Sequence, residues 1–501
     1  MPSACRVLVV EDFPDVRQTL IGLLAHEGYE VQGAASLQEA RARLVSTAFG
    51  VAVLDIRLDD TDEDNRDGLI LMYEIQRKYP KTAVIILTGY ADVDMVRRAL
   101  EPDETGRAPA FGFLEKNEIN RLPEYVSRAV LYQRLLRFWT DRDECKLCVS
   151  LEQGNRPHVQ LSGKVRLTTT SPNSLHLDRD SLMAWGNETS LNTPSGRRLL
   201  KTLGRDLYRL LFEQHSSVLN SYQRALGSVG ENQKLQLTFE TNRDWIGLPF
   251  EFLFSDSAGE YLVLLHPVIR QMRGVVTRYE PISAKMLRKL SSEIKLRFLL
   301  LVSNTEPRQD EIDQMGQALV ELLSPLKWLH LHYVPTDEAT HGDVQDLLNA
   351  NKFHIVHYIG HGVYRNPSPE ASSLFFWRQR GRSGGVMPLS GNDLRFLFEN
   401  AETRLVHLTC CEGMRMGDAS QLVYSDYLGI ADSLIQAGVP SVVGFRWPVD
   451  TQRAQTMTLA FYSALFEHGS PELALLEARR RLARENKDDL TWLSPVLIVQ
   501  G

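Results

Sequence analysis

The sequence is poor in cysteine, in long apolar runs and in excess positive charge. Five cysteines are spread over 501 residues, which excludes a disulfide-stabilised secreted domain. The longest apolar runs, such as 298–302, have the length of a strand and fall far short of the ~20 residues that cross a bilayer. The amino-terminal segment also lacks the basic stretch followed by an apolar one that a secretory signal needs. We therefore expect a cytoplasmic protein without a membrane partner.

Acidic residues slightly outnumber basic ones, with 63 Asp and Glu against 56 Lys and Arg and a formal net charge of −7. This balance, together with the lack of a basic recognition helix, argues against nucleic acid as a partner. Hydrophobic residues make up 43% and charged residues 24% of the chain, which is typical of a soluble globular protein with buried cores. The length suggests roughly three domains.

Residues 6–130 alternate short apolar runs with segments that are apolar at helical spacing. The apolar runs predict buried strands at Arg6–Val10, Val51–Leu54, Ala83–Leu87 and Gly112–Leu114. Strands and helices that alternate with short connections form a parallel sheet covered on both faces. Such a sheet binds ligands at the carboxyl ends of its strands. A helix is predicted over Leu122–Trp139.

The rest of the chain predicts a second α/β module with a different front part. Between 143 and 290 the patterns favour strands at Lys164–Thr170 and Lys234–Thr241 and a helix over Gly196–Gln214. From 295 onward, apolar runs predict strands at Leu296–Val302, Trp328–Tyr333, His354–Ile359, Arg404–Leu408, Ser441–Phe445 and Pro495–Val499. Helical spacing predicts helices at 309–323, 342–350, 426–437, 451–467 and 471–485.

Polar side chains stand at the carboxyl ends of the strands of the first module. Glu11 and Asp12 follow the first strand, and Asp55 follows the second. Thr88 ends the third strand, and Lys116 follows the fourth. Three carboxylates repel one another unless a cation lies between them, and oxygen ligands suit Mg²⁺. The set can accept and stabilise a phosphoryl group, although each residue by itself could merely cap a helix.

These residues resemble the receiver domain of two-component response regulators over about residues 5–130. The resemblance implies a flavodoxin-like fold with a parallel five-stranded sheet. It implies Mg²⁺ bound by Glu11, Asp12, Asp55 and the backbone carbonyl of Arg57. It also implies that a histidine kinase phosphorylates Asp55.

The same resemblance identifies Thr88, Phe113 and Lys116 as the switch residues that respond to phosphorylation. Two features depart from the family pattern. The loop 58–67 is long and strongly acidic, so it either repels phosphate donors, collects cations or is simply solvated. Asn117 stands where proline usually follows the lysine.

A histidine and a cysteine follow two strands of the second module. His361 is flanked by glycines, and Cys411 follows the strand that ends in a second cysteine, Cys410. The separation of 50 residues is typical of the His-to-Cys spacing of caspases. A thiol beside an imidazole forms the thiolate nucleophile of cysteine proteases, with backbone N–H groups such as that of Gly362 as an oxyanion hole. Spacing does not choose between the two cysteines, and the histidines inside strands, 354, 357 and 407, are expected to be non-catalytic.

The chain around these residues resembles the CHAT family of bacterial caspase- and separase-like peptidases, over roughly residues 145–501. Tyr358-Ile-Gly-His361-Gly is similar to its histidine motif and Cys411-Glu412 to its cysteine motif. The resemblance selects Cys411 as the nucleophile. It implies a caspase-like α/β CHAT domain with a pseudo-peptidase front half, and no cofactor for the peptidase.

Two further features have alternative interpretations. Asp450 follows the strand 441–445, where caspase-like folds border the specificity pocket, so it either favours a basic residue before the cleaved bond or caps the helix that follows. Cys145 and Cys148 form a CxxC without a second ligand pair, which favours surface thiols over a metal site.

The sequence therefore predicts a receiver domain at 1–130, a linker helix at 131–145, the pseudo-caspase front half at 146–292 and the active half at 293–501. We expect a bacterial, signal-controlled cysteine endopeptidase that cleaves a partner protein after a basic residue. The alternative is a non-catalytic scaffold whose CHAT domain binds partners. A gasdermin-like or other defence effector is a candidate substrate by the same resemblance, and pairing into a homodimer stays open.

Overall fold

The structure is a computed structural model in which the chain forms two compact units. The first is built from residues of Met1–Asp141, and the second from residues of Arg142–Glu280, Leu296–Leu465 and Ser470–Gly501. The described residues are 5–59, 61–62, 64–79, 82–89, 96, 99–101, 108–139, 145–152, 156–162, 166–172, 194–229, 234–241, 248–272, 296–305, 310–326, 329–350, 352–363, 372–399, 401–410, 426–446 and 449–500. Within these ranges, every helix is too short or too polar to span a lipid bilayer.

The first unit is a five-stranded parallel sheet with helices. Its strands are β1 Arg6–Val10, β2 Glu30–Ala34, β3 Val51–Leu54, β4 Ala83–Thr88 and β5 Gly112–Glu115. Its helices are α1 Pro14–His26, α2 Leu37–Ser46, α3 Asp67–Lys78, a 3-10 turn Lys116–Arg121 and α4 Leu122–Trp139. The strand order β2-β1-β3-β4-β5 is that of the flavodoxin-like fold, which confirms the predicted fold class. Every residue of β3 and β4 is buried, as expected of central strands covered on both faces.

Among the described residues, the second unit contains sixteen strands and most of the helices. The strands are β6 Lys146–Glu152, β7 Arg156–Ser162, β8 Leu167–Thr170, β9 Gln236–Thr241, β10 Phe254–Ser255, β11 Glu260–Tyr261, β12 Val268–Met272, β13 Leu296–Ser303, β14 Leu329–Val334, β15 Ile355–Gly360, β16 Gly362–Val363, β17 Ser373–Gln379, β18 Ser383–Ser390, β19 Leu405–Cys410, β20 Ser441–Phe445 and β21 Pro495–Gln500. The helices are α5 Pro194–Tyr208, α6 Ser216–Ser228, α7 Leu262–Leu265, α8 Asp310–Leu323, α9 His341–Ala350, α10 Gly391–Phe398, α11 Asp426–Gln436, α12 Thr451–His468 and α13 Pro471–Glu485.

An eleven-stranded sheet in the order β14-β13-β15-β19-β20-β21-β12-β9-β6-β7-β8 organises this unit. The strands from β14 to β20 are parallel to one another, and so are the strands from β21 to β6. The two blocks meet at the antiparallel pair β20–β21 and therefore run in opposite directions. The last strand of the chain thus joins the front part of the unit to its second part.

Helices cover both faces of the block that contains β15 and β19. Side chains such as Leu299, Val356 and Val406 form one core with residues of α9, α10 and α11. On the other side of the sheet, Tyr462 of α12 faces Phe298 and, on the neighbouring strands, His357 and His407. Both faces of the parallel strands are therefore withdrawn from water, which explains their continuous apolar runs.

Several elements of the structure are not among the strands that apolar runs predicted. β2 has the sequence EVQGA, of which only Ala34 is buried. The hairpin β17–β18 and the short β16 form a separate three-stranded sheet, and residues 383–386 of β18 are exposed. β2 and β18 carry too few apolar residues for an apolar run to indicate them. β17 does contain an apolar run, Leu374–Trp377, which was not among the predicted strands.

The expectation of surface thiols at the CxxC is wrong for Cys145. This residue is 5% exposed, and its Sγ lies 3.5 Å from Ser228 Oγ. Burial alternates along β6, so Cys145 shares a face with the buried Leu147 while the half-buried Cys148 lies on the other face. Neither belongs to a group of metal ligands among the described residues.

Because it contains buried histidines, the second unit is expected to lose stability in mild acid. Burial lowers the pKa of His266 and His354 to about 4 and that of His407 to about 3. Each stays neutral in the folded chain, whereas in the unfolded chain it takes up a proton near pH 6.5. The free energy of unfolding therefore falls by about 1 kcal/mol per pH unit for each histidine, from about pH 6.5 down to its folded pKa. Urea unfolding followed by tryptophan fluorescence at pH 7 and pH 5 measures this loss.

A matched pair of variants tests the assignment. His354 is 6% exposed, whereas His330 on β14 is exposed. We expect His354→Gln to reduce the loss between pH 7 and pH 5 by about 2 kcal/mol and His330→Gln to leave it unchanged. An identical pH dependence in the wild type and His354→Gln would contradict the prediction.

Candidate functional site

The carboxyl ends of β1 and β3 bring three carboxylates of the first unit together. Glu11 and Asp12 follow β1, and Asp55 follows β3, which is the neighbouring strand. Backbone hydrogen bonds hold the strand ends in register, since Asp55 N donates to Val10 O at 2.9 Å. Ligand oxygens of the three carboxylates lie within 4.8 Å of one another. Glu11 is 1% and Asp55 6% exposed, so this acidic cluster is largely withdrawn from water.

Lys116 provides the positive charge in this pocket. It follows β5, and its Nζ lies 2.8 Å from Glu11 Oε2 and 2.6 Å from Asp55 Oδ2. Burial raises the pKa of Glu11 to about 7, assisted by the charge of Asp55 and opposed by the hydrogen bond from Lys116. Burial alone would lower the pKa of Lys116, but its hydrogen bonds to Asp55 and Glu11 outweigh that effect, so the pKa is raised.

The donor set of the pocket fits a hard divalent cation. One lysine faces three carboxylates that repel one another, and burial, assisted by the charge of Asp55, raises the pKa of Glu11. A cation bound by oxygens of Glu11, Asp12 and Asp55 would relieve this repulsion, and all-oxygen ligands with room for water suit Mg²⁺. Arg57 is half-buried in the loop after β3, and its carbonyl stays a predicted ligand.

The other two residues predicted to respond to phosphorylation, Thr88 and Phe113, lie on β4 and β5, next to the pocket. Thr88 is the last residue of β4 and is fully buried. Its register partner is Glu115, directly before Lys116. Phe113 on β5 is half-buried and packs against the core of the unit.

Gly68 is a residue of this site that the sequence patterns did not reveal. It lies at the start of α3, and its N–H donates to Ile56 O at 3.0 Å. A Cβ at this position would overlap the carbonyl oxygen of Asp55. Only glycine therefore lets α3 approach the strand end that carries Asp55. The Asp67-Gly68 pair at the start of α3 is the sequence signal that could have indicated it.

The second unit brings the ends of β15 and β19 side by side. The two strands are parallel neighbours, and their last residues, Gly360 and Cys410, are register partners. His361 follows Gly360 directly and is 1% exposed. Gly362 then begins β16, which belongs to the three-stranded sheet. Cys411, the predicted nucleophile, lies outside the described residues.

Two histidines lie within these strands, three residues before the strand ends: His357 on β15 and His407 on β19. His357 and His407 are register partners, and their rings stack with centroids 4.4 Å apart and planes at 4°. His357 Nε2 lies 3.0 Å from Thr409 Oγ1. These side chains share the face of the sheet that packs on α12, whereas Leu408 belongs to the core on the other face. Odd-numbered positions of both strands therefore face the same side.

Asp450 lies directly before α12. Its two predicted roles are recognition of a basic substrate residue and capping of this helix. Its Oδ1 accepts hydrogen bonds from Gln452 N at 3.1 Å and Arg453 N at 3.2 Å. This geometry is that of a helix N-cap. The side chain is exposed, and both of these hydrogen bonds involve Oδ1.

The segment that leads to Asp450 begins at a buried arginine. Arg446 NH1 lies 3.6 Å from Glu251 Oε2, and Glu251 also accepts hydrogen bonds from Arg270. All three side chains are at most 1% exposed. Burial lowers the pKa of Arg446 to about 9, together with the charge of Arg270 and against that of Glu251. Burial alone would raise the pKa of Glu251, but the charge and hydrogen bond of Arg270, together with the charges of Arg446 and Arg479, outweigh it and lower the pKa. Glu251 thus ties the front part of the unit to the end of β20.

Comparison with known proteins identifies both units. The CHAT domain model matches residues 201–498, and the response regulator receiver domain model matches residues 7–126. The response regulator protein PilR of Pseudomonas aeruginosa is 33% identical over 129 residues, which are 26% of this chain and 26% of PilR. The C4-dicarboxylate transport transcriptional regulatory protein DctD of Rhizobium meliloti is 27% identical over 204 residues, 40% of each chain.

The solved structures that match this chain include receiver domains. The receiver domain of NtrX from Brucella abortus is 30% identical, with a TM-score of 0.21 and coverage of 25% of this chain and 96% of that chain. The present chain spans about a quarter of the length of curated relatives such as PilR and NtrX of Azorhizobium caulinodans. It therefore belongs to the CHAT domain family and carries, ahead of its CHAT domain, the receiver domain of a two-component response regulator.

Proposed function

We propose that the protein is a cysteine endopeptidase whose activity is controlled by its receiver domain. The observation that carries the proposal is the register pair Gly360–Cys410 at the ends of two parallel neighbouring strands. The next residues in the chain are His361 and Cys411. A histidine and a cysteine that follow register partners can form the imidazole–thiolate pair of a cysteine peptidase.

The resemblance of Cys411-Glu412 to the cysteine motif of the CHAT family supports Cys411 over Cys410 as the nucleophile. Nearer the middle of the two strands, His407 and Thr409 contact His357 of β15.

The proposed reaction passes through an acyl-enzyme. His361 takes the proton of the Cys411 thiol, and the thiolate attacks the peptide carbonyl while the N–H of Gly362 stabilises the oxyanion. The imidazolium then returns the proton to the leaving amine as the C–N bond breaks. His361 next activates a water, which hydrolyses the thioester and restores the thiol.

The receiver domain would respond to a histidine kinase. Mg²⁺ held by Glu11, Asp12 and Asp55 would neutralise a phosphoryl group transferred to Asp55, which is the chemistry that such an ion supplies in phosphoryl transfer. Lys116 already reaches Asp55 at 2.6 Å and can pair with the added phosphoryl oxygens. The buried hydroxyl of Thr88 and the ring of Phe113 would then transmit the change.

Substitution of the two adjacent cysteines tests the nucleophile. Cys411→Ala is expected to lower the cleavage of a peptide library by about a thousandfold or more, because it removes the proposed nucleophile of the acyl-enzyme. Cys410→Ala is the matched control and is expected to retain cleavage. Loss of cleavage in Cys410→Ala alone would assign the nucleophile to Cys410. Absence of cleavage by the wild type, with and without acetyl phosphate, would reject the peptidase and favour the scaffold.

Substitution of Asp450 tests the preference for a basic residue before the cleaved bond. Asn caps helices as well as Asp does, so Asp450→Asn removes the charge but keeps the hydrogen bonds to Gln452 and Arg453. We expect kcat/KM for Arg and Lys peptides to fall about tenfold to a hundredfold, with an unchanged melting temperature. Equal kcat/KM in the variant and the wild type would restrict Asp450 to helix capping.

Phosphorylation of the receiver is tested with acetyl phosphate and Mg²⁺. We expect a hydroxylamine-labile phosphoryl group on the wild type, detected by phosphate-affinity electrophoresis, and none on Asp55→Asn or after chelation of Mg²⁺, because both the acceptor and the cation are needed. Asp62→Asn, a change in the exposed acidic loop, is the control and should be phosphorylated. Labelling of Asp55→Asn to the wild-type level would contradict the assignment.

A further inference from the structure

His361 lies where the chain passes from one sheet to another. Gly360 is the last residue of β15 in the eleven-stranded sheet, and Gly362 is the first residue of β16 in the three-stranded sheet. The carbonyl oxygen of His361 accepts hydrogen bonds from Phe375 N at 3.0 Å and from the Tyr358 hydroxyl at 2.7 Å. The backbone of His361 is therefore held by one donor from each sheet.

Tyr358 reaches His361 by folding back across Gly360. A Cβ on Gly360 would lie 2.5 Å from the Tyr358 hydroxyl oxygen and 2.6 Å from the carbonyl oxygen of Ser303, so the absence of a side chain at position 360 makes room for the hydroxyl. The tyrosine is 1% exposed, and its ring packs edge-on against Phe376 at 5.3 Å. Packing therefore determines where the hydroxyl lies.

The same hydroxyl also links the two sheets. It lies 2.9 Å from the carbonyl oxygen of Phe375 on β17, so its one hydrogen is shared between two carbonyl groups. Ser303 Oγ, at the end of β13, donates to the same Phe375 oxygen at 2.8 Å. Tyr358 and Ser303 thus attach β17 to the main sheet at the position next to His361.

The β17–β18 hairpin is itself anchored at its far end. Trp377 Nε1 donates to Asn304 O at 2.9 Å. Arg382, in a left-handed conformation at the hairpin tip with φ 57°, pairs with Asp313 at 2.9 Å and with Asp337 at 2.7 Å. Because both ends of the hairpin are attached, β17 is a fixed support for the carbonyl of His361.

We propose that Tyr358 is a positioning residue for His361, an inference that rests on the proposed peptidase function. By holding the carbonyl of His361, the tyrosine hydroxyl sets the direction of the Cα–Cβ bond and so aims the imidazole at the end of β19. Proton transfer and thiolate formation depend steeply on this direction, since misplacement of a reacting group by about 1 Å costs roughly a hundredfold in rate. Tyr358 does not contact the substrate in this scheme.

Tyr358→Phe keeps the packed ring and removes the hydroxyl. We expect kcat to fall about tenfold, the effect of one lost hydrogen bond, and KM to change less than about twofold. The rate of Cys411 alkylation by iodoacetamide, measured against pH, should show a thiol pKa that moves toward the free value of about 8.5 because the imidazolium no longer faces the thiolate. A residue with a merely structural role would not move this profile.

Tyr222→Phe is the matched control. Tyr222 is buried in the front part of the unit, and its hydroxyl lies 2.9 Å from His266 Nε2. The substitution removes a comparable buried contact between a tyrosine hydroxyl and a histidine, but away from β15. It should leave kcat and the alkylation profile unchanged. Incorporation of 4-aminophenylalanine at position 358 restores an N–H donor and should recover most of the activity.

The outcomes separate this inference from the proposed function. A wild type that cleaves peptides, together with a Tyr358→Phe variant of equal kcat and equal alkylation profile, overturns the positioning role and leaves the peptidase in place. A wild type that neither cleaves nor shows a reactive Cys411 overturns both. If Tyr358→Phe does not fold, Ser303→Ala removes the second attachment of β17, and an unchanged kcat and alkylation profile in that variant overturns the inference.

Discussion

The parallel alignment of strand ends is the constraint on which both parts of this protein depend. Parallel strands in register end at one edge of a sheet, so residues far apart in the chain meet there without a long loop to hold them. In the first unit, this alignment brings Glu11 to Asp55 and both to Lys116. In the second, it makes Gly360 and Cys410 partners. A shift of either register would separate these groups.

Burial decides how the groups at these edges behave. In the acidic pocket, burial raises the pKa of Glu11 to about 7, although the hydrogen bond from Lys116 opposes that rise. Under the edge of β15 and β19, burial instead keeps His357 and His407 neutral. These histidines differ in their surroundings, because His357 and His407 pack against α12 while the chain leaves the sheet at His361.

The predicted strands that are buried on both faces agree with the structure to within a few residues, because continuous apolar runs are specific to such strands. The motif residues of the first unit also meet as expected. The polar strand β2 and the exposed strand β18 have no such run. Gly68 and Tyr358 matter through close contacts with Asp55 O and His361 O, and a contact between distant chain segments leaves no local pattern.

The sequence by itself determined the two α/β modules, the order of their strands along the chain and the residue types at the strand ends, because hydrophobic periodicity and short motifs are local properties. Tertiary structure decided which strands are neighbours, that the two blocks of the large sheet oppose each other at β20–β21, and that Tyr358 holds the carbonyl of His361. These features depend on packing between segments that are distant in the chain, and the shape and burial of such contacts exist only in the folded protein.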